Sequence, residues 1–199
     1  MIDLTEQLAK NGVSFQSLGK VLCHQDSTVT IGAGSVIKTP ITVLGGGNHV
    51  TIGDRCSLQG GITLKCRDSS LSIGAGTTWG AVNLMMHESN LISIGTDCMF
   101  SVNILLDVSD MHPIYCATSG DRINFSEKII IGDHVWIGYG ATILRGTLIQ
   151  DGCIVGAGSV VRGEFQDRGC IIAGNPRRVI KNGIRWERNL PLESGNISI

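Results

Sequence analysis

IGDHVWIGYGATILRGTLIQDGCIVGAGSVV, residues 131–161, carries an aliphatic side chain at every sixth position: Ile131, Ile137, Ile143, Ile149, Val155 and Val161. Six residues suit one short strand and a corner, and three such units make one 18-residue coil of a three-sided solenoid. A helix would need apolar residues three and four apart, a pattern this stretch lacks. Upstream, Ile-Gly pairs recur at Ile31-Gly32, Ile52-Gly53, Ile73-Gly74 and Ile94-Gly95, each 21 residues after the last. That spacing describes the same coil with a three-residue bulge. A self-similar period of this kind is the mark of a repeat architecture, in which each unit buries its apolar face only against its neighbours.

The position four residues after each repeat residue holds Ser35, Cys56, Thr77, Cys98, Val135, Ala141, Thr147, Cys153 and Ser159. All are small, as the tight corners of a triangular prism require. Cys56, Cys98 and Cys153 are therefore expected to pack corners rather than to react, since a buried thiol behaves as a small hydrophobe.

Bulk composition agrees with an all-β solenoid in one domain. The 199 residues include 27 glycines, which do not fall at every third position, so collagen is excluded. Disorder is excluded by 42% hydrophobic residues and a net charge of −1, and that charge leaves no basic face for nucleic acid. The N-terminus MIDLTEQLAK is not a secretory signal, and no run of 18 apolar residues predicts membrane insertion. A cytoplasmic location is expected, with the seven cysteines reduced and no CxxC pair to hold zinc.

Three segments follow. Residues 1–20 should form a short helical segment, with Asp3 and Glu6 as a capping box and a stop near Asn11-Gly12. Residues 21–174 form the solenoid. Residues 175–199 should hold a closing helix and tail, with Asn175 and Pro176 as N-cap and first helical residue and Asn182-Gly183 as the stop.

Between Ile94 and Ile131 the period breaks, and the excess is the loop 107–128, DVSDMHPIYCATSGDRINFSEK. A solenoid has no structural need of it, and rigid scaffolds carry function on loops. His112 lies in the loop, followed by Pro113 and flanked by Asp107 and Asp110. Histidine serves as a base near neutral pH, and either carboxylate could orient it. The other four histidines read as ordinary surface or core residues.

With the repeat, a His-Pro in a long loop, VWIGYGA, IVGAGSVV and AGNPRRVI, residues 50–182 resemble the hexapeptide acetyltransferases, which include sugar, serine and capsule O-acetyltransferases. The resemblance implies a left-handed parallel β-helix, although parallel crossovers are generally right-handed. It implies a homotrimer with acetyl-CoA as cosubstrate, no metal, and a carbohydrate acceptor whose hydroxyl proton is removed by His112. Trp136, 24 residues on, would flank the thioester or the acceptor. The N–H of Tyr139 would stabilise the oxyanion, and Tyr139 and Ala157 would line the pantetheine arm. Arg162, Arg178 and Lys181 would meet the phosphates or adenine, with Asn83 and Asp110 beside the acceptor. The short N-terminus and Arg177 after Asn175-Pro176 depart from the free-sugar enzymes and look closer to the bacterial capsule and polysaccharide O-acetyltransferases. Amino-sugar nucleotide N-acetylation and serine or small-sugar O-acetylation are the alternatives on the same scaffold. A γ-type carbonic anhydrase would need a second histidine five residues from His112, where Ala117 stands, and a purely structural solenoid would leave the loop unexplained.

Overall fold

The computed structural model describes residues 1–190 as a left-handed parallel β-helix with three faces. On the third face seven strands stack in parallel in chain order from Thr28–Ile31 to Glu164–Phe165. The first two faces share the long strands Ser57–Leu64, Thr78–Met86 and Met99–Asp107, each of which runs around the corner between them.

The six-residue period is the inward column of each face. On the first face Ile37, Leu58, Trp79, Phe100, Ile137, Val155 and Ile172 lie one above another, all buried. Each such aliphatic side chain contributes about 1.5–3 kcal/mol through burial. The indole N–H of Trp79 is the one buried side-chain polar atom without a partner among the described residues.

The corners explain both small-residue signals. Ser35, Cys56, Thr77, Cys98, Val135, Ala141, Thr147, Cys153 and Ser159 are all buried. Several also donate to a corner carbonyl of the next coil, as in Ser35 Oγ to Gly53 O at 3.0 Å and Thr77 Oγ1 to Gly95 O at 2.9 Å. The glycine after each repeat isoleucine is required by stacking: a Cβ on Gly74 would sit 2.5 Å from both the carbonyl carbon of Gly95 and the N of Thr96.

The extra residues of the 21-residue coils are not spread evenly. From Leu64 to Ile73, which end the second and third faces of one coil, the chain takes nine residues; from Ile143 to Ile149 it takes six. The bulge therefore sits at the corner between the second and third faces. A ladder of polar side chains fills it: Asn48 Nδ2 donates to Cys66 O at 2.9 Å, and Asn48 Oδ1 accepts the Ser69 N–H at 3.0 Å. Ser69 Oγ in turn accepts the Asn90 N–H at 3.1 Å. One coil further, this same corner gives rise to the long loop.

The ends differ from expectation in two respects. A helix forms over Thr5–Lys10, but its N-cap is Leu4 without a side-chain cap, and Asp3 Oδ1 instead accepts the Thr5 N–H at 2.9 Å. No capping box forms. The helix expected after Asn175-Pro176 is absent: Arg177–Lys181 is a strand, antiparallel to Ile171–Gly174. The exposed backbone edge of the last coil captures the chain, and that tertiary pairing outweighs the local capping signature. Residues 182–190 then return along the corner between the third and first faces, where Arg188 donates to Asp97 Oδ1, Thr78 Oγ1 and Cys98 O at 2.7, 2.9 and 2.8 Å. The remainder of the expected tail, 191–199, lies outside the described residues.

Candidate active site

The loop leaves the second face at Asp107 and rejoins the third at Ile129. It is an ordered hairpin-like excursion, with Ile123 N bonded to Ile114 O at 2.9 Å and Cys116 N to Asp121 O at 2.8 Å. Its root is buried. Asp107 Oδ2 meets His87 Nδ1 at 2.9 Å, and Asp107 Oδ1 accepts the Ser109 N–H at 3.0 Å. Burial pushes the Asp107 carboxyl up, against the Ser109 N–H and His87, which favour its ionised form.

His112 is exposed beyond this root, just after Met111, whose φ of +62° turns the chain sharply. Its N–H bonds Asp110 O at 2.7 Å. Neither carboxylate expected to orient the ring does so. Asp107 is turned inward to His87, and Asp110 Oδ2 instead accepts Arg145 Nε at 3.0 Å and Asn124 Nδ2 at 3.1 Å. The Arg145 hydrogen bond holds the Asp110 carboxyl below its usual range. Arg145 also binds Glu127 and donates to Phe125 O at 3.2 Å. His87, Asn124 and Arg145 gave no signal in the sequence.

The other candidates divide between places. Tyr139 and Ala157 are exposed at the corner between the first and second faces, one coil apart, with Gly158 N donating to Tyr139 O at 2.7 Å. The N–H groups of Tyr139 and Ala157 bond to nothing else among the described residues. The same corner continues down through Gly140 N to Val102 O at 3.0 Å and opens into a depression of about 330 Å³. Gly60, Gly61, Ala81, Asn83 and Asn103 line it, so Asn83 lies on the same corner as Tyr139 and Ala157, several coils below. Glycine is needed at its floor, where a Cβ on Gly60 would lie 2.1 Å from Val82 O.

Arg178, paired with Ala173, is exposed on the terminal strand beside that groove's upper end, and Lys181, paired with Ile171, is exposed at the far end of the same strand. Arg162 follows a strand of the second face and binds Glu127 of the loop at 2.8 Å, while a Cβ on the next residue, Gly163, would lie 2.9 Å from the Arg177 guanidinium of the terminal strand. Trp136 sits half-exposed on the first face, 5.9 Å from Trp186, which stacks on His134 at 4.1 Å. Among the described residues no hydrogen bond or ring contact joins His112 to Trp136. Nor do the described residues include a group of three or more His, Cys, Asp or Glu side chains placed to hold a metal, or a helix long and apolar enough to cross a membrane.

Residues 128–163 match the family model described as bacterial transferase hexapeptide (six repeats). A polysialic acid O-acetyltransferase of Escherichia coli O1:K1 / APEC is 35% identical over 90 residues, 45% of this chain and 29% of that protein. The putative lipopolysaccharide biosynthesis O-acetyl transferase WbbJ of Escherichia coli K12 is 46% identical over 56 residues, 28% of each chain. The matched region thus spans less than a third of these curated relatives. Among solved structures, the polysialic acid O-acetyltransferase OatWY superposes with a TM-score of 0.77 at 31% identity, over 92% of this chain and 94% of that one.

Proposed function

This chain belongs to the hexapeptide-repeat acetyltransferase family, and from that premise we propose that it transfers an acetyl group from acetyl-CoA to a hydroxyl of a bacterial surface polysaccharide. The observation that carries the reading is the near end-to-end match to a polysialic acid O-acetyltransferase, together with His112 on the one loop that interrupts the solenoid. In this mechanism a ring nitrogen of His112 takes the proton of the acceptor hydroxyl as its oxygen attacks the thioester carbonyl. The tetrahedral oxyanion receives the free N–H of Tyr139. Collapse expels the CoA thiolate, which takes from the imidazolium the proton that came from the acceptor hydroxyl, so no proton is gained or lost overall.

The exposed corner bearing Tyr139 and Ala157 suits the pantetheine arm, with Arg178 and Lys181 at the phosphate end and Asn83 toward the acceptor. Arg162, half-exposed and bound to Glu127 at the loop's corner, would reach the phosphates from that side. Among the described residues no hydrogen bond or ring contact joins His112 to Trp136 within one chain, which favours a site completed by a second copy in a homotrimer. The loop supports this: Met111, Ile114, Tyr115, Ile123 and Phe125 are all more than half exposed, an apolar surface suited to a neighbouring copy.

The test is CoA release from acetyl-CoA against a panel of sialic acid polymers, O-antigen oligosaccharides, galactosides and amino-sugar nucleotides. A polysaccharide hydroxyl is expected to be the best acceptor, and His112→Ala is expected to lower kcat by about 10²–10⁴-fold while acetyl-CoA binding persists. An amino-sugar nucleotide outrunning every hydroxyl acceptor would overturn O-acetylation. Wild-type turnover in His112→Ala would remove His112 from the role.

A further inference from the structure

We propose that Asn124 is the positioning residue for His112, its buried carboxamide clamping the backbone on both sides of Pro113, at the His112 carbonyl and the Ile114 N–H. The inference rests on the role given to His112 above. Asn124 is 2% exposed, and its side chain uses all four of its hydrogen-bonding capacities. Nδ2 donates to His112 O at 2.8 Å and to Asp110 Oδ2 at 3.1 Å. Oδ1 accepts the Ile114 N–H at 2.6 Å and Arg122 Nε at 3.4 Å.

The geometry is specific to the residue it holds. Pro113 has no N–H, so beyond His112 the next backbone donor available to the amide oxygen is that of Ile114. One carboxamide therefore fixes the carbonyl of His112 and the N–H two residues on, while the Met111 turn and the His112 N–H to Asp110 O bond fix the approach. A base without a carboxylate partner has its place set by its backbone alone, and Asn124 is the group that sets it. Arg145 and Arg122 complete the frame, the first through Asp110 and the second through Glu88 and the Asn124 carbonyl at 3.1 Å.

Asn124→Asp tests the proposal because it keeps the size of the side chain and removes its donor. The introduced carboxylate faces the His112 carbonyl and the Asp110 carboxylate, both repulsive. Arg122 and, through Asp110, Arg145 are the cations facing it, and Glu88 and Glu127 lie behind them. At pH 8, kcat is expected to fall about 100-fold, the effect of an ångström-scale misplacement, with KM for acetyl-CoA within about 2-fold of wild type. As pH is lowered the introduced carboxyl protonates and can again donate to His112 O, so the ratio of variant to wild-type kcat rises. On a His112→Ala background, Asn124→Asp is expected to cause no further loss, because it acts through the missing imidazole.

Wild-type kcat, a ratio flat with pH, or a full further loss on the His112→Ala background would each overturn the proposal. Loss of the cooperative melting transition in Asn124→Asp would do so as well, by making the amide a residue of the fold rather than of the site. A wild-type protein that transfers no acetyl group, or a fully active His112→Ala, would instead fail the parent reading.

Discussion

Arg145→Met removes the charge at the base of the loop while keeping most of the buried stem. The guanidinium side chain is 9% exposed and binds the carboxylates of Asp110 and Glu127 and the carbonyl of Phe125. Hydrogen bonds to charged groups contribute about 1.5–3 kcal/mol each when fully desolvated. Asp110 and Glu127 are 36% and 45% exposed, so water replaces much of what they lose, and each contact counts nearer 1 kcal/mol. The three together give about 2–3 kcal/mol, a fall in Tm of roughly 5–10 °C for a chain of this size.

The pH dependence has a definite sign. Asp110 has its folded-state pKa lowered, first by the Arg145 hydrogen bond, so its contribution is present above the unfolded carboxylate value and is lost as pH falls through the lowered one. Scanning calorimetry at pH 7 and again near pH 3 should therefore show the gap between wild type and variant narrowing in acid. An unchanged Tm at pH 7, or a gap of equal size at both pH values, would refute the account of Arg145 as the loop's electrostatic anchor.

Two further outcomes bear on the loop and the solenoid separately. The Cys116 thiol, lowered to about 7 by hydrogen bonds from Ser119 and Thr118, should be half-ionised at pH 7, whereas burial pushes Cys98 up to about 11. That difference is about four decades in thiolate, of which weaker intrinsic nucleophilicity takes back about two, and the burial of the other six cysteines widens it again. Native protein should thus take up one equivalent of maleimide, abolished by Cys116→Ser; uptake of two or more would contradict the burial of the corner thiols. Gly74→Ala forces a Cβ against fixed backbone of the next coil and should cost about 3 kcal/mol in urea unfolding, the upper end of overpacking. A cost below about 1 kcal/mol would mean that the coils can part, against the stacking argument.

The fold was legible because a solenoid repeats its constraints. Ile73-Gly74 and its equivalents report an inward side chain followed by a contact with the coil above, and both demands recur at each coil. Corner residues such as Cys56 and Thr77 were legible for the same reason. The terminus was not, because Asn175-Pro176 is a local signal and the pairing of Arg177–Lys181 with Ile171–Gly174 is not. The ion pair of Arg162 with Glu127 was not legible either: hexad counting puts Arg162 after a second-face strand, but the carboxylate it meets comes from the loop. Asp107 and Asp110 failed as partners of His112 because nearness in a loop says nothing about direction: one completes the buried pair with His87, and the other meets an arginine from the following coil.

That contrast reflects two kinds of order in one chain. Each coil is held by apolar columns, and the periodic pattern that builds them is visible in any stretch of the solenoid. The loop buries only Val108 and Asn124 among its larger residues past the Asp107 root, so it has almost no apolar core of its own. What fixes it are long-range polar partners: Asn124 to His112 and Ile114, Arg145 to Asp110 and Glu127, Arg122 to Glu88. Polar partners of this kind have no period and are chosen by geometry that only the folded chain provides. The His112 loop therefore shows in the sequence as an interruption of the repeat, while the way His112 is held does not, since its supports stand on three separate stretches: Glu88 in the coil before, Asn124 within the loop, and Arg145 in the coil after.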